Sequence, residues 1–161
     1  METAENNTLV RRLRLKRALL EAQDQLHEKI CTLLLVSGGG MRGVYGAGVC
    51  LALHHLGLAD CFDRVVGVST GAAIGGYFLA GQAQARLGTT IYYDECRADF
   101  VRYTFPLPAL RIDKLAETFR CGRKRLNLSL LARHRSEFFV GVTHWDSGKS
   151  VLIDAKRARP D

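Results

Sequence analysis

Five cysteines occur in this sequence, yet no two of them form a Cys-x-x-Cys pair. An odd number without that spacing points to neither a disulfide framework nor a zinc site. Cys31, Cys50, Cys61, Cys96 and Cys121 therefore read as reduced, small apolar residues of a cytosolic protein. The start, METAENNTLVRR, has no basic segment followed by an apolar one, so it is not a secretory signal. Internal repeats and low-complexity stretches are absent as well. Residues 65–85 run for 21 positions without a charge, long enough to span a bilayer. Their content excludes it: Gly67, Gly71, Gly75, Gly76 and Gly81, with Ser69, Thr70, Gln82 and Gln84, suit a buried strand, turn and helix.

Acidic residues are the scarcer sign, 16 against 23 Lys and Arg, for a net charge of +7. The excess is local. Residues 97–161 hold fourteen basic and seven acidic residues, whereas residues 31–96 hold three and four. Arg120, Arg123, Lys124 and Arg125 cluster there, either as a solvated face or as contacts for an anionic membrane surface. Basic residues are not interleaved with aromatics and no finger spacing occurs, so nucleic acid is not an expected partner. With 47% hydrophobic and 24% charged residues over 161 positions, the composition is that of one globular domain with a core.

Residues 10–30 read as one helix with Leu15, Leu19, Ala22 and Leu26 on a face. Its first turns carry Arg11, Arg12, Arg14, Lys16 and Arg17, suited either to an interfacial helix or to a helix that packs on the domain and solvates its charges. Residues 31–36 form a continuous apolar run typical of a strand buried on both faces. A glycine loop and a helix over 44–56 follow, then a strand over 64–68 and a small-residue helix over 70–85. That order predicts an α/β fold: a three-layer α/β/α arrangement around a mainly parallel sheet. Residues 89–120 read as helices interrupted at Pro106 and Pro108. Residues 137–143 and 150–154 read as strands joined by the turn Asp146-Ser147-Gly148.

Two glycine motifs end the first two strands, where open α/β sheets place their sites. The second, Gly67-Val68-Ser69-Thr70-Gly71, is a G-x-S-x-G sequence at a strand-to-helix junction. Its flanking glycines allow the sharp turn that presents Ser69 Oγ as a nucleophile. A structural serine that caps the helix is the plainer reading. The first motif, Gly38-Gly39-Gly40-Met41-Arg42-Gly43, formally matches the dinucleotide pattern G-x-G-x-x-G. No acidic residue closes the next strand to bind a ribose, since Ser69 stands there. The loop instead suits backbone N–H groups aimed at a negatively charged oxygen, as in an oxyanion hole. Arg42 either adds positive charge to that loop or anchors it.

Together, Gly38 to Gly43 and Gly67 to Gly71, with Gly75-Gly76 in the helix that follows, resemble the patatin-like phospholipases. The resemblance runs from Leu33 to about Asp154. It implies a serine-dependent acyl hydrolase of lipid or phospholipid esters, with Ser69 as nucleophile and Gly38, Gly39, Gly40, Met41, Arg42 and Gly43 as oxyanion loop. Gly67, Val68, Thr70 and Gly71 would frame the serine. It implies no metal and no cofactor, and as base an aspartate in an Asp-Gly motif.

No Asp-Gly pair exists in the chain: Ser147 follows Asp146, Ala155 follows Asp154, and Asp161 is last. His144 is the histidine best placed by order, but it lies in an apparent hairpin turn, and His27, His54, His55 and His134 suit helical or loop roles. A serine without a base is a weak nucleophile. The expectation is therefore a basic amphipathic helical segment, 1–30, and an incomplete patatin-like domain, 31–161, lacking its C-terminal part and inactive or nearly so alone. An exposed sheet edge or apolar face should accompany it. A second reading is a non-enzymatic module that holds an anionic headgroup or phosphate in the glycine loop. The expected location is the cytoplasm, with the basic segments available for peripheral membrane contact.

Overall fold

A computed structural model describes residues 8–94, 101–103 and 108–158 of the chain. The first helix, α1 (Thr8–Glu21), is shorter than its pattern predicts. Gln23 adopts φ 55°, and Asp24 then accepts a hydrogen bond from Leu26 N–H to start a separate 3-10 turn, Gln25–Lys29. The buried face also differs from Leu15, Leu19, Ala22 and Leu26. Leu15 and Leu26 are exposed, while Leu13 and Lys16 are buried.

Lys16 explains the difference. Its side chain is wholly buried, and Nζ donates to Ile30 O at 2.7 Å, to Thr32 Oγ1 at 3.0 Å and to the Asp63 carboxylate. Asp63 also accepts from Thr32 N–H at 2.7 Å and pairs with Arg135. Burial alone would raise the Asp63 pKa, but the hydrogen bonds from Lys16 and Thr32 outweigh it and hold the carboxyl below its ordinary range. A charge read from sequence as solvated thus fastens α1 to Ile30, Thr32 and Asp63. Arg11, Arg12 and Arg14 do stay exposed.

The main sheet has four strands in the order β1 (Leu33–Val36), β2 (Arg64–Val68), β5 (Glu137–Thr143) and β6 (Ser150–Asp154). The first three are parallel and β6 runs antiparallel to β5. Helix α2 (Gly43–His55) links β1 to β2, and α3 (Thr70–Leu79) follows β2 directly. The chain is α/β with a mainly parallel sheet, as the order of elements predicts. The small-residue helix is not continuous to residue 85: Gly81 takes φ 103°, which favours glycine, and separates α3 from α4 (Gln82–Asp94). Between α4 and α5 (Ile112–Arg120), residues read as helical form two short antiparallel strands, β3 (Val101–Tyr103) and β4 (Pro108–Leu110). Pro106 lies outside the described residues. Helix α6 (Leu128–Arg133), capped by Asn127, leads into β5.

The core forms where α3 lies on the sheet. Val65 and Phe78 are fully buried, joined by Val36, Ile74, Leu79, Leu131 and Phe138, each contributing about 1.5–3 kcal/mol on burial. Close approach requires Gly75, since a Cβ there would come within 2.9 Å of the Phe138 ring. On the opposite side of the strands, Leu33, Leu35 and Leu152 are more than half exposed. Residues 31–36, read from sequence as a strand buried on both faces, thus form a shorter strand buried on one face only, and an exposed apolar sheet surface is present.

Candidate active site

Because β1, β2 and β5 are parallel, the segments that follow them emerge at one edge of the sheet. After β1 comes the glycine loop, after β2 comes Ser69, and after β5 comes the hairpin turn. Ser69 stands between β2 and α3 at φ 55° and ψ −127°. A non-glycine side chain there is strained, a conformation that surrounding structure must enforce.

That enforcement is visible in the neighbouring glycines. A Cβ on Gly67 would sit 2.5 Å from Ala72 Cα and from Gly71 O. One on Gly71 would collide with the Val36 carbonyl and come within 2.8 Å of Ser37 O. The start of α3 is therefore pressed onto the end of β1, and Ser69 is squeezed into the turn between them. Ala72 N–H donates to Ser69 O at 2.9 Å, but the Ser69 hydroxyl makes no capping hydrogen bond. The observed geometry is not that of a serine whose side chain caps its helix. Ser69 is solvent-exposed at the positive end of a ten-residue helix.

The glycine loop folds against it. A Cβ on Gly38 would lie 2.8 Å from Ser69 Cβ and 3.4 Å from Ser69 Oγ. Gly40–Arg42 form a 3-10 turn that leads into α2. Arg42 N–H donates to Gly39 O, and Gly43 N–H to Gly40 O and Met41 O. Among the described residues, the N–H groups of Gly39, Gly40 and Met41 have no backbone acceptor. Arg42 is exposed and enters no ion pair among the described residues, so the anchoring role is not observed.

Beside Ser69 opens an apolar cavity of about 130 Å³, walled by Met41, Ile74, Tyr77, Ile91 and Phe119 among others. Thr70 also lines it, and its Oγ1 is buried without a hydrogen-bond partner among the described residues. Nothing in the sequence marked this cavity, because apart from Gly40, Met41 and Ser69 its walls come from α3, α4 and α5.

No described carboxylate or imidazole serves Ser69. Asp146 lies on the same sheet edge but in the exposed turn beyond β5, where His144 Nδ1 contacts Ser147 Oγ at 3.2 Å. Asp154 aligns with Phe139 near the start of β5, at the far edge, and pairs with Arg157 at 3.2 Å. His54 bonds Phe78 O, His55 contacts Gln82, His27 contacts Asp24 O, and His134 pairs with Asp60. Burial lowers the His134 pKa against the pull of Asp60. Asp161 lies outside the described residues, as does Cys96.

The sequence family described as patatin-like phospholipase matches residues 34–149, more than two thirds of the chain. The protein belongs to the patatin-like phospholipase family, whose members are in general lipid acyl hydrolases. No curated protein matches it, and neither does any solved structure. No described helix is long and apolar enough to cross a membrane.

Proposed function

We propose that Ser69 is the nucleophile of a carboxylic ester hydrolase acting on lipid esters. The observation that carries this reading is the strained Ser69 backbone, held with its hydroxyl uncommitted to the helix and with the glycine loop packed against it at Gly38. Ser69 Oγ would attack the ester carbonyl carbon while its proton passes to a base. The carbonyl oxygen would take up the negative charge against Gly39, Gly40 and Met41 N–H, each such donor being worth about 2.7–4 kcal/mol in related sites. The alcohol would leave protonated, and water would then cleave the acyl-serine to release the acid.

Since no described side chain supplies the base, the 161-residue chain is expected to work near the residual level of triad knock-outs, about 10³–10⁴ over water. The test is hydrolysis of p-nitrophenyl esters with and without added imidazole as a diffusible base, corrected for the same assay with Ser69→Ala. A Ser69-dependent rate that rises with imidazole supports the reading. Activity that survives Ser69→Ala overturns it.

The exposed Arg42, without an ion pair among the described residues and next to the glycine loop, also favours the second reading, an anion-binding module without chemistry. Phosphate binding unaffected by Ser69→Ala, in a chain with no Ser69-dependent esterase, would select it. The division into residues 1–30 and a hydrolase domain over 31–161 belongs to the same proposal, with Leu13 and Lys16 joining the first to the core of the second. The four described cysteines are unpaired, which supports a cytoplasmic location. Peripheral contact with anionic membrane would fall to the exposed Arg11, Arg12 and Arg14, and to Arg120, Arg123 and Arg125. Lys124 is excluded, being buried against Asp94 and Thr90 O.

A further inference from the structure

From the shape of the cavity beside Ser69 we infer that the protein selects short acyl chains, of about six carbons, and that Ile74 sets the limit. The inference rests on Ser69 being the nucleophile, which fixes the end at which the acyl group enters. Met41 and Ile112 flank the opening, both part of the wall and both exposed, so an acyl tail enters between the glycine loop and α5. The interior offers only apolar contacts, apart from Thr70 Oγ1 near its start and the ends of two tyrosines. Apolar cavities of about 150 Å³ stay dry and admit a six-carbon ring. At about 130 Å³ this one has room for a tail of similar size.

The inner end is closed and stiff. Ile74, Tyr77 and Gly88 wall the cavity on one side and, on the other, a second void too small for water that also touches Ala47, Cys50 and Ala85. Tyr77 does not swing aside: its hydroxyl donates to Lys124 O, and its ring packs edge-on against Phe119 at 5.9 Å. Gly88 holds α4 against it, since a Cβ there would lie 2.9 Å from Tyr77 Cγ. That leaves Ile74, a buried side chain with no polar tether, as the partition between the two spaces. Shortening it merges them, whereas adding volume at Gly88 pushes Tyr77 into the tail's path.

The test uses the full chain and saturated fatty acids of four to twelve carbons at monomeric concentrations, with binding measured by titration calorimetry, alongside p-nitrophenyl esters of the same lengths. Affinity should rise about fourfold per methylene up to six carbons and then level or fall. Ile74→Ala should move that limit outward by about three carbons, the number its truncation removes. Gly88→Ala should move it inward. Ser69→Ala should leave the binding limit where it was while removing any Ser69-dependent hydrolysis. Affinity that climbs without a break to twelve carbons overturns the inference, as does an unchanged limit in a folded Ile74→Ala variant. If Ile74→Ala does not fold, the length series on the wild-type chain still decides. A binding limit at six carbons with no Ser69-dependent esterase would leave the cavity assignment standing and remove the nucleophile. The opposite pattern would remove only the length limit.

Discussion

Replacing Ser69 with glycine should make the protein more stable as it removes the proposed nucleophile. At φ 55° and ψ −127°, the Ser69 Cβ crowds its own backbone, a strain of about 1–3 kcal/mol for a non-glycine residue. Glycine relieves it but adds freedom to the unfolded chain, at about 0.5–1 kcal/mol. With mid-range values, the net gain over Ser69→Ala, which keeps the Cβ and hence the strain, is about 1 kcal/mol. In a chain of this length, each kcal/mol moves Tm by about 2–4 °C. Urea titrations of the two variants, followed by far-ultraviolet circular dichroism, should give equal m values and a higher midpoint for glycine. Neither variant should show the Ser69-dependent rate. A glycine variant no more stable than the alanine one would refute the claim that the turn is strained.

Other sites give separate tests. Lys16→Met should cost about 3 kcal/mol in a urea titration at pH 7, because it strands the Asp63 carboxylate that Lys16 now pairs. The Asp63 pKa is depressed in the fold, so its contribution is complete above the ordinary carboxylate value near about 4 and fades as pH falls below it. The stability gap between wild type and Asp63→Asn should therefore narrow in acid, and a pH-independent gap would contradict that sign. Gly71→Ala would drive a methyl group into the Val36 carbonyl and should destabilise by about 3 kcal/mol. Cys50 has its thiol pushed up to about 11 by burial, so at pH 8 it should resist a disulfide reagent until the chain is unfolded, whereas exposed Cys31 and Cys121 react at once.

What the sequence revealed depends on how local the cause is. Gly38 to Gly43 and Gly67 to Gly71 were readable because a sharp strand-to-helix turn makes demands on the backbone within a few residues. The strands at 64–68, 137–143 and 150–154 appear in the fold with those bounds, their apolar character being written in consecutive positions. The face of α1 was not readable, since the partner of Lys16 is Asp63, 47 positions away. The cavity escaped for the same reason: Ile74, Ile91 and Phe119 meet only after three helices have packed. The break at Gly81 was marked by the glycine itself, but a run of small residues on either side masked it.

The apolar surface around Leu33, Leu35 and Leu152 has a consequence for how the protein behaves in solution. Two forces act between copies: attraction of these bare surfaces and mutual repulsion from the +7 charge. Repulsion reaches about 30 Å at 0.01 M salt but only about 8 Å at 0.15 M, while the attraction does not weaken. Solubility should then fall as salt is added, opposite to proteins that salt brings into solution. The useful storage buffer would be a dilute one.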